Sequence, residues 1–298
     1  MSVLILVFSV NELSAQNGPA YRTETFRAGS SPEINVRTSG GSIEVNGYNG
    51  SEIKVDMYVR RRGEWMEAGE ADLSNYEIRI VQEGNKVIAE ARQKNNFRMN
   101  RRNNYSISFV VQTPVYSQTD LRTSGGSVSV SKLEGTQDLR TSGGSVSAVN
   151  VEGDVQMNTS GGSVNIQAVT GRINARTSGG TIRAEDVQGD IELRTSGGSI
   201  SISGIKGSVD ARTSGGSIDA DISEPGDLIE LKTSGGSIDL RVPGNRGYNL
   251  DLDGSRVNTE LSDFTGRSDR GRIEGTIKGG GTLIEAKTSA GSVNLRYF

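Results

Sequence analysis

Thr159-Ser160-Gly161-Gly162-Ser163 decides how this chain is read. The same five residues begin at Thr38, Thr123, Thr141, Thr195, Thr213 and Thr233, with near-copies at Thr177 (Thr-Ser-Gly-Gly-Thr) and Thr288 (Thr-Ser-Ala-Gly-Ser). From Thr123 to Thr213 the copies stand 18 residues apart, and the next follows after 20. A fixed period this short marks a repeat architecture in which each unit leans on its neighbours.

The period subdivides. Gly126, Gly135, Gly144, Gly153 and so on to Gly216 stand nine apart, so each 18-residue unit holds two nine-residue arms, each closed by a turn. In the last near-copy Ala290 replaces the first glycine of the pair. That substitution implies that only the second glycine takes a positive φ that a Cβ would forbid.

Working outward, Asp154-Val155-Gln156-Met157-Asn158-Thr159 alternates, placing Val155, Met157 and Thr159 on one side; after the turn Val164, Ile166 and Val169 continue that side. Five aliphatics do not offset the entropy of ordering 18 backbones, so one unit cannot fold alone and stacked units must fold together. The expected fold is all-β: a single-stranded parallel β-helix, or β-solenoid, with 18-residue coils. Its right-handed sense follows from the bias of parallel crossovers.

Outward positions repeat as well. An acid or amide precedes a base on the same strand face in Asp120 with Arg122, Asp138 with Arg140, Asn174 with Arg176, Glu192 with Arg194, Asp210 with Arg212, Glu230 with Lys232 and Glu285 with Lys287. Stacked cations repel, and an acidic column beside them offsets this. Gln156 with Asn158 is neutral at both places, as that account expects, whereas Asn174 with Arg176 does not fit it. These are read as structural ladders.

The chain has 298 residues and net charge −3, without the basic excess of a nucleic-acid binder. Its 40 glycines are about twice the usual share, and aromatics are 5%, a composition suited to a narrow core with many turns. Cysteine and histidine are absent, which removes disulfides, Cys/His zinc sites, thiol nucleophiles and His-dependent triads. The apolar run Val3 to Val10, followed by Ser14-Ala15, reads as a secretory signal over residues 1–15, although no Lys or Arg precedes it; the alternative is a buried first strand.

Solenoid-like sequence covers residues 21–118 with an irregular insertion, and a regular array with a closing coil covers 119–298. Within the insertion, Trp65-Met66-Glu67-Ala68 is expected as a short helix or loop. Tyr76 to Val81 and Val87 to Ala91 form a strand pair across Glu83-Gly84-Asn85. Arg92, Lys94, Arg98, Arg101 and Arg102 lie in a segment without an acid. They are either a solvated hairpin tip or a patch for anions or acidic glycans. Trp65, the only tryptophan, either stacks on a sugar or plugs exposed core. These six residues are the candidate contacts. Residues 262–275 are expected to be looped, and Tyr297-Phe298 to cover a final edge strand.

Catalysis and metals find little support. Asp251-Leu252-Asp253-Gly254 is a fragment of a calcium loop without its closing glutamate, and the repeats lack the glycine-aspartate pattern of a calcium β-roll. The ladder acids sit beside bases, which lowers their pKa where a general acid needs it raised. The outward pairs after each turn, such as Ser127 with Ser129 and Ser217 with Asp219, do not form the threonine ranks of an ice-binding face. No catalytic residue, cofactor or metal is assigned.

The Thr-Ser-Gly-Gly-Ser-Ile turn, the entry Ile107 to Pro114 and the exit Gly279 to Val293 resemble the bacterial β-strand-repeat family of putative adhesins, from about Ser31 to Phe298. The resemblance implies a β-helix at the cell envelope and carries no catalytic residues. Function is therefore read as an exported structural or adhesive surface module, whose repeated polar ladders add weak contacts to a cell surface or glycan. The alternatives are an envelope scaffold or stress-sensing module that associates through its ends or through the Trp65 and Arg98 region, and a glycan-cleaving enzyme. An export product in the periplasm, at the cell surface or secreted has no integral membrane segment after signal cleavage.

Overall fold

The structure, a computed structural model, describes residues 18–94 and 105–298. The signal reading of residues 1–15 and the candidates Arg98, Arg101 and Arg102 therefore lie outside the described residues. Among the described residues there are 26 strands, no helix, and one hydrogen-bonded network wrapped around a continuous apolar core. No described helix is long and apolar enough to cross a membrane.

The N-terminal strands are β1 (Arg22–Arg27), β2 (Glu33–Thr38), β3 (Ile43–Tyr48), β4 (Glu52–Arg61), β5 (Glu64–Met66), β6 (Tyr76–Glu83), β7 (Lys86–Gln93) and β8 (Ser106–Pro114). The array follows with β9 (Gln118–Thr123), β10 (Val128–Glu134), β11 (Gln137–Arg140), β12 (Val146–Glu152), β13 (Val155–Asn158), β14 (Val164–Thr170), β15 (Ile173–Arg176), β16 (Ile182–Gln188) and β17 (Ile191–Arg194). It continues through β18 (Ile200–Arg212), β19 (Ile218–Thr233) and β20 (Ile238–Val242). The closing block is β21 (Tyr248–Asp253), β22 (Arg256–Asn258), β23 (Phe264–Ser268), β24 (Arg272–Ile277), β25 (Thr282–Thr288) and β26 (Ser292–Tyr297).

In the array the stacking is parallel and follows the repeat. Leu139 lies beside Met157, Met157 beside Ala175 and Ala175 beside Leu193, while across the coil Val146 lies beside Val164 and Val164 beside Ile182. All of these side chains are buried, because alternation sends every second one inward.

The Thr-Ser-Gly-Gly-Ser turn is explained residue by residue. Each threonine is buried, and from Thr141 onward its hydroxyl donates to the second-glycine carbonyl of the neighbouring coil while accepting the N–H of the second glycine of its own turn, whereas Thr123 only donates, to Gly41 O, and Thr38 donates to Ile107 O. Thr159 Oγ1 donates to Gly144 O at 2.8 Å and accepts from Gly162 N at 3.3 Å. The closing serine accepts the N–H of its counterpart on the next coil, as Ser145 Oγ does from Ser163 N at 3.3 Å. The second glycine is required for a reason other than the expected one. None of these glycines has a positive φ; instead a Cβ on Gly162 would lie 1.9 Å from Gly144 O. Coil-on-coil packing forbids the side chain. Positive φ belongs to the alternate turn glycines, Gly135, Gly153, Gly171, Gly189 and Gly207, at 124° to 145°.

A further corner was not expected. Lys132, Asn150, Ala168 and Asp186 have φ of 52° to 56°, and Gly204 continues the column at 67°. The strand bends there and its pairing skips one residue, from Ser131 beside Val149 to Leu133 beside Val151. Each coil thus turns at three places rather than two.

Both ends depart from a uniformly parallel helix, and the sheet as a whole is mixed. Antiparallel pairs join β4 to β1, β5 and β8, β6 to β7, and β24 to β21 and β23. Short turns such as Glu83-Gly84-Asn85 can join only antiparallel neighbours, whereas parallel neighbours need a whole coil between them. The motif is absent where these hairpins occur. Hence Trp65 lies on strand β5 rather than on a helix or loop, and the stretch expected to be looped over 262–275 contains β23 and most of β24.

Chain order is also broken at both ends. The first coil, β2 with β3, lies between β7 with β8 on one side and β9 with β10 on the other. The last, β25 with β26, is inserted between β19 with β20 and β21 with β22. The terminal strand is therefore no edge. Tyr297 packs against Tyr248 at 6.2 Å, and Phe298 stays exposed.

Candidate functional site: two outward faces

The two long outward faces of the coils differ in chemistry. On the face formed by β9, β11, β13, β15, β17 and the strands that continue them, the charged rungs pair with one another, and among the described residues the neutral rung of Gln156 and Asn158 makes no side-chain hydrogen bond. Within strands, Arg122 pairs with Asp120 and Arg140 with Asp138, both at 2.8 Å, and Arg194 with Glu192 at 2.7 Å. Between coils, Arg194 reaches Asp210 at 2.9 Å, Arg212 reaches Glu230 at 2.7 Å, Lys232 reaches Glu285 at 2.9 Å and Lys287 reaches Asp251 at 2.5 Å. Cations on one rung serve the acids of their own rung and the next.

The misfit at Asn174 and Arg176 is resolved by the same geometry. Arg176 crosses to Glu192 at 2.9 Å, and Asn174 Nδ2 donates to the same carboxylate at 2.8 Å. Glu192 therefore serves three donors. The Arg194 hydrogen bond is the main cause that holds its carboxyl below the usual range. Lys287 and Lys232 do the same for Glu285. For Glu230, burial pushes upward, yet the hydrogen bonds from Lys232 and Arg212 leave the net shift downward. Asp210 is the exception, raised chiefly by burial. The calcium-loop fragment is a strand of this ladder: Asp251 meets Lys287 and Asp253 lies 3.8 Å from Arg272. Among the described residues, no group of three acids is placed to hold a metal ion.

The other face, formed by β10, β12, β14, β16 and β18, is open. Ser129, Ser147, Asn165, Arg183, Ser201 and Asp219 lie side by side on successive rungs, one strand spacing of ~4.8 Å apart. Among the described residues, the side chains of Ser129, Ser147, Asn165 and Ser201 make no hydrogen bond. Charge is present at Glu44, which accepts from Asn46 at 2.8 Å, at Arg183, 3.7 Å from Glu185, and at the C-terminal end, where Asp221 meets Arg241 at 3.2 Å and Asn294 donates to Asp239 at 2.9 Å. In sequence these outward residues bear only on ice binding, whose threonine ranks they lack. The signal that distinguishes the faces was present in the repeats: one outward pair keeps its charge pattern from coil to coil and the other drifts among Ser, Asn, Arg and Asp.

Of the expected contact residues, Trp65 is half-buried. Its indole meets the Tyr58 ring edge-on at 5.8 Å, carries the Arg60 guanidinium 4.5 Å above it, and is approached so closely by Gly18 that a Cβ there would fall 2.4 Å from the ring. Arg92 pairs with Glu77 at 2.6 Å, and Lys94 Nζ donates to Ser74 O at 2.9 Å. Trp65 packs at the β4–β5 hairpin, whereas Arg92 is on β7 and Lys94 just follows it.

The family model described as Toastrack DUF4097 matches residues 64–296. No curated protein matches the chain. Similar solved structures include a putative cell adhesion protein from Clostridium sporogenes ATCC 15579, with 11% identity, TM-score 0.22 and coverage of 93% of this chain and 99% of that one. A putative adhesin from Bacteroides fragilis NCTC 9343 has 10% identity, TM-score 0.41 and coverage of 92% and 96%. A putative lipid binding protein from Parabacteroides distasonis ATCC 8503 has 14% identity, TM-score 0.38 and coverage of 92% and 96%. Likenesses of this size say nothing about what this chain binds.

Proposed function

The chain belongs to the Toastrack DUF4097 family, and from that premise we propose that it is a non-catalytic surface module, exported by the segment 1–15, that contacts its partner through the open polar face. The array is read here as a right-handed, single-stranded β-helix of 18-residue coils, with 21–118 as its irregular base and 119–298 as the regular rod and closing coil. The observation that carries the proposal is the inequality of the faces. Ladder acids and bases are occupied with one another, so contacting a ligand there requires breaking ion pairs, whereas the hydroxyls and amides of Ser129, Ser147, Asn165 and Ser201 are unspent. Regularly spaced weak donors and acceptors suit a repetitive partner such as a glycan chain or cell surface, because many small contacts add.

The basic segment Arg92 to Arg102 with Trp65 is proposed only as a secondary contact, since Glu77 and Ser74 already engage Arg92 and Lys94. The test is binding of the purified protein to bacterial cells and a glycan panel, compared with a quadruple variant Ser129→Glu, Ser147→Glu, Asn165→Glu and Ser201→Glu. Binding that the variant loses supports the proposal. Equal binding by both proteins, or no binding together with self-assembly in light scattering, sends the reading to an envelope scaffold instead.

A further inference from the structure

The column of inward side chains that begins each threonine-ended strand is aliphatic almost throughout. Val155, Ile173, Ile191, Val209 and Ile229 succeed one another in register, and all are buried. Thr119 and Gln137 interrupt it on adjacent rungs. Gln137 is 0% exposed and Thr119 4%. Thr119 Oγ1 donates to Gln137 Oε1 at 2.7 Å, and Gln137 Nε2 donates to Ser117 O at 3.0 Å. Ser117, also fully buried, shares a 2.8 Å hydrogen bond with the Thr113 hydroxyl and donates to Pro114 O at 2.6 Å. Four polar side chains thus form one satisfied cluster inside an apolar core.

A repeat of this kind carries a hazard. Every coil presents the same threonine, glycine and serine hydrogen bonds, so the chain can stack with one coil looped out and still satisfy the motif. The hazard is greatest at the start of the array, where β2 docks onto β9 across 85 residues of chain and could dock onto β11 instead. In the native register Ile34 lies beside Thr119. Were β9 looped out, Ile34 would lie beside Gln137, and the buried amide would lose both Thr119 and Ser117. In the other skip, β13 on β9, Val155 would face Thr119 and leave the Thr119 hydroxyl and Ser117 carbonyl unmet. A buried amide left without partners disfavours such states by about tenfold to a hundredfold.

We infer that the Thr113–Ser117–Thr119–Gln137 cluster is a register lock, which makes the coil over residues 118–135 an obligatory first layer of the array. Buried polar groups that select register are the best-attested use of such clusters. Replacing Thr119 and Gln137 together removes the hydroxyl–amide pair without orphaning either member and leaves only the Ser117 carbonyl short of its donor, so register selection is lost at a smaller cost in native stability.

The experiment uses the full chain carrying Thr119→Val with Gln137→Val, refolded from urea beside the wild type, Thr119→Ser and Leu139→Ala. Hydrogen exchange read by mass spectrometry follows peptides from 118–135. The expected result is two populations in the double variant, one protected and one open over that coil, with the open fraction raised about tenfold or more over wild type. Thr119→Ser, which keeps the hydroxyl, and Leu139→Ala, which only destabilises, each give one population. A single protected population in the double variant overturns the inference. So does failure of that variant to fold, because the cluster would then supply stability rather than register.

Discussion

Gly161 and Gly162 are adjacent, identical and on the same turn, yet alanine at the two positions is expected to act in opposite directions. At Gly162 the new Cβ falls 1.9 Å from Gly144 O, 2.3 Å from its carbonyl carbon and 2.6 Å from Ser145 N, whereas at Gly161 the nearest atom is 3.5 Å away. A comfortable carbon–oxygen contact is ~3.3 to 3.6 Å, so the coils would have to part by about 1.4 Å at Gly162. Both coils are pinned there, with Gly161 N donating to Ser142 O and Val146 N to Ser163 O, each at 2.9 Å. The same Gly144 oxygen accepts the Thr159 hydroxyl. Overpacking of ~1 to 3 kcal/mol and one disturbed hydrogen bond of ~1 kcal/mol give an expected loss of about 2 to 4 kcal/mol. Gly161→Ala adds no clash and restricts the unfolded chain, which favours folding by ~0.4 to 1 kcal/mol. Urea unfolding followed by far-UV circular dichroism measures both, with hydrogen exchange over residues 142–181 reporting whether the loss is local. Gly161→Ala as harmful as Gly162→Ala would refute the reasoning, because it would mean that both glycines are needed for backbone conformation rather than for the approach of coils.

Three further outcomes are expected. Ala168 is exposed and left-handed at φ 52°, so Ala168→Asn, matching Asn150 at the same corner, should stabilise by ~1 kcal/mol and raise the melting temperature. Folded-state carboxyls of Glu192, Glu230 and Glu285 lie below their ordinary values, so the stability they contribute is complete above the unfolded value of ~4.3 and is lost as pH falls through the folded ones. Asp210, shifted upward by burial, works the other way. Melting temperature should therefore fall below about pH 4.3, and Glu230→Gln should flatten that fall. Deleting residues 282–298 leaves β19, β20, β21 and β22 without the strands between them. Amides over 248–277 should then exchange rapidly while those over 146–194 stay protected, and mere fraying of the last few residues would contradict the inserted order.

The ladder shows how far local pattern carries. Its two columns were legible because alternation and an 18-residue period fix both the face and the neighbour of each outward side chain. Asn174 with Arg176 resisted because a rung's partner is chosen from the next coil as well as its own, and Glu192 is close enough to take both. The open face was harder to single out, since its residues share no repeating charge, and what distinguishes it is the absence of partners that only three-dimensional neighbours can supply.

From the chain alone came the all-β class, the stacking period, the inward residues and the special status of the second glycine, all of them consequences of spacing along a strand. The β6–β7 hairpin was legible too, whereas the reason for that glycine, the left-handed third corner, the other antiparallel pairings and the insertion of β2–β3 and β25–β26 out of chain order were decided only by tertiary structure. The approach at that glycine and the out-of-order insertions depend on contacts between coils 18 to 85 residues apart. A periodic sequence states what every layer needs from a neighbour, and several layers can meet that need. Packing at the ends and the polar cluster around Gln137 select which layer does.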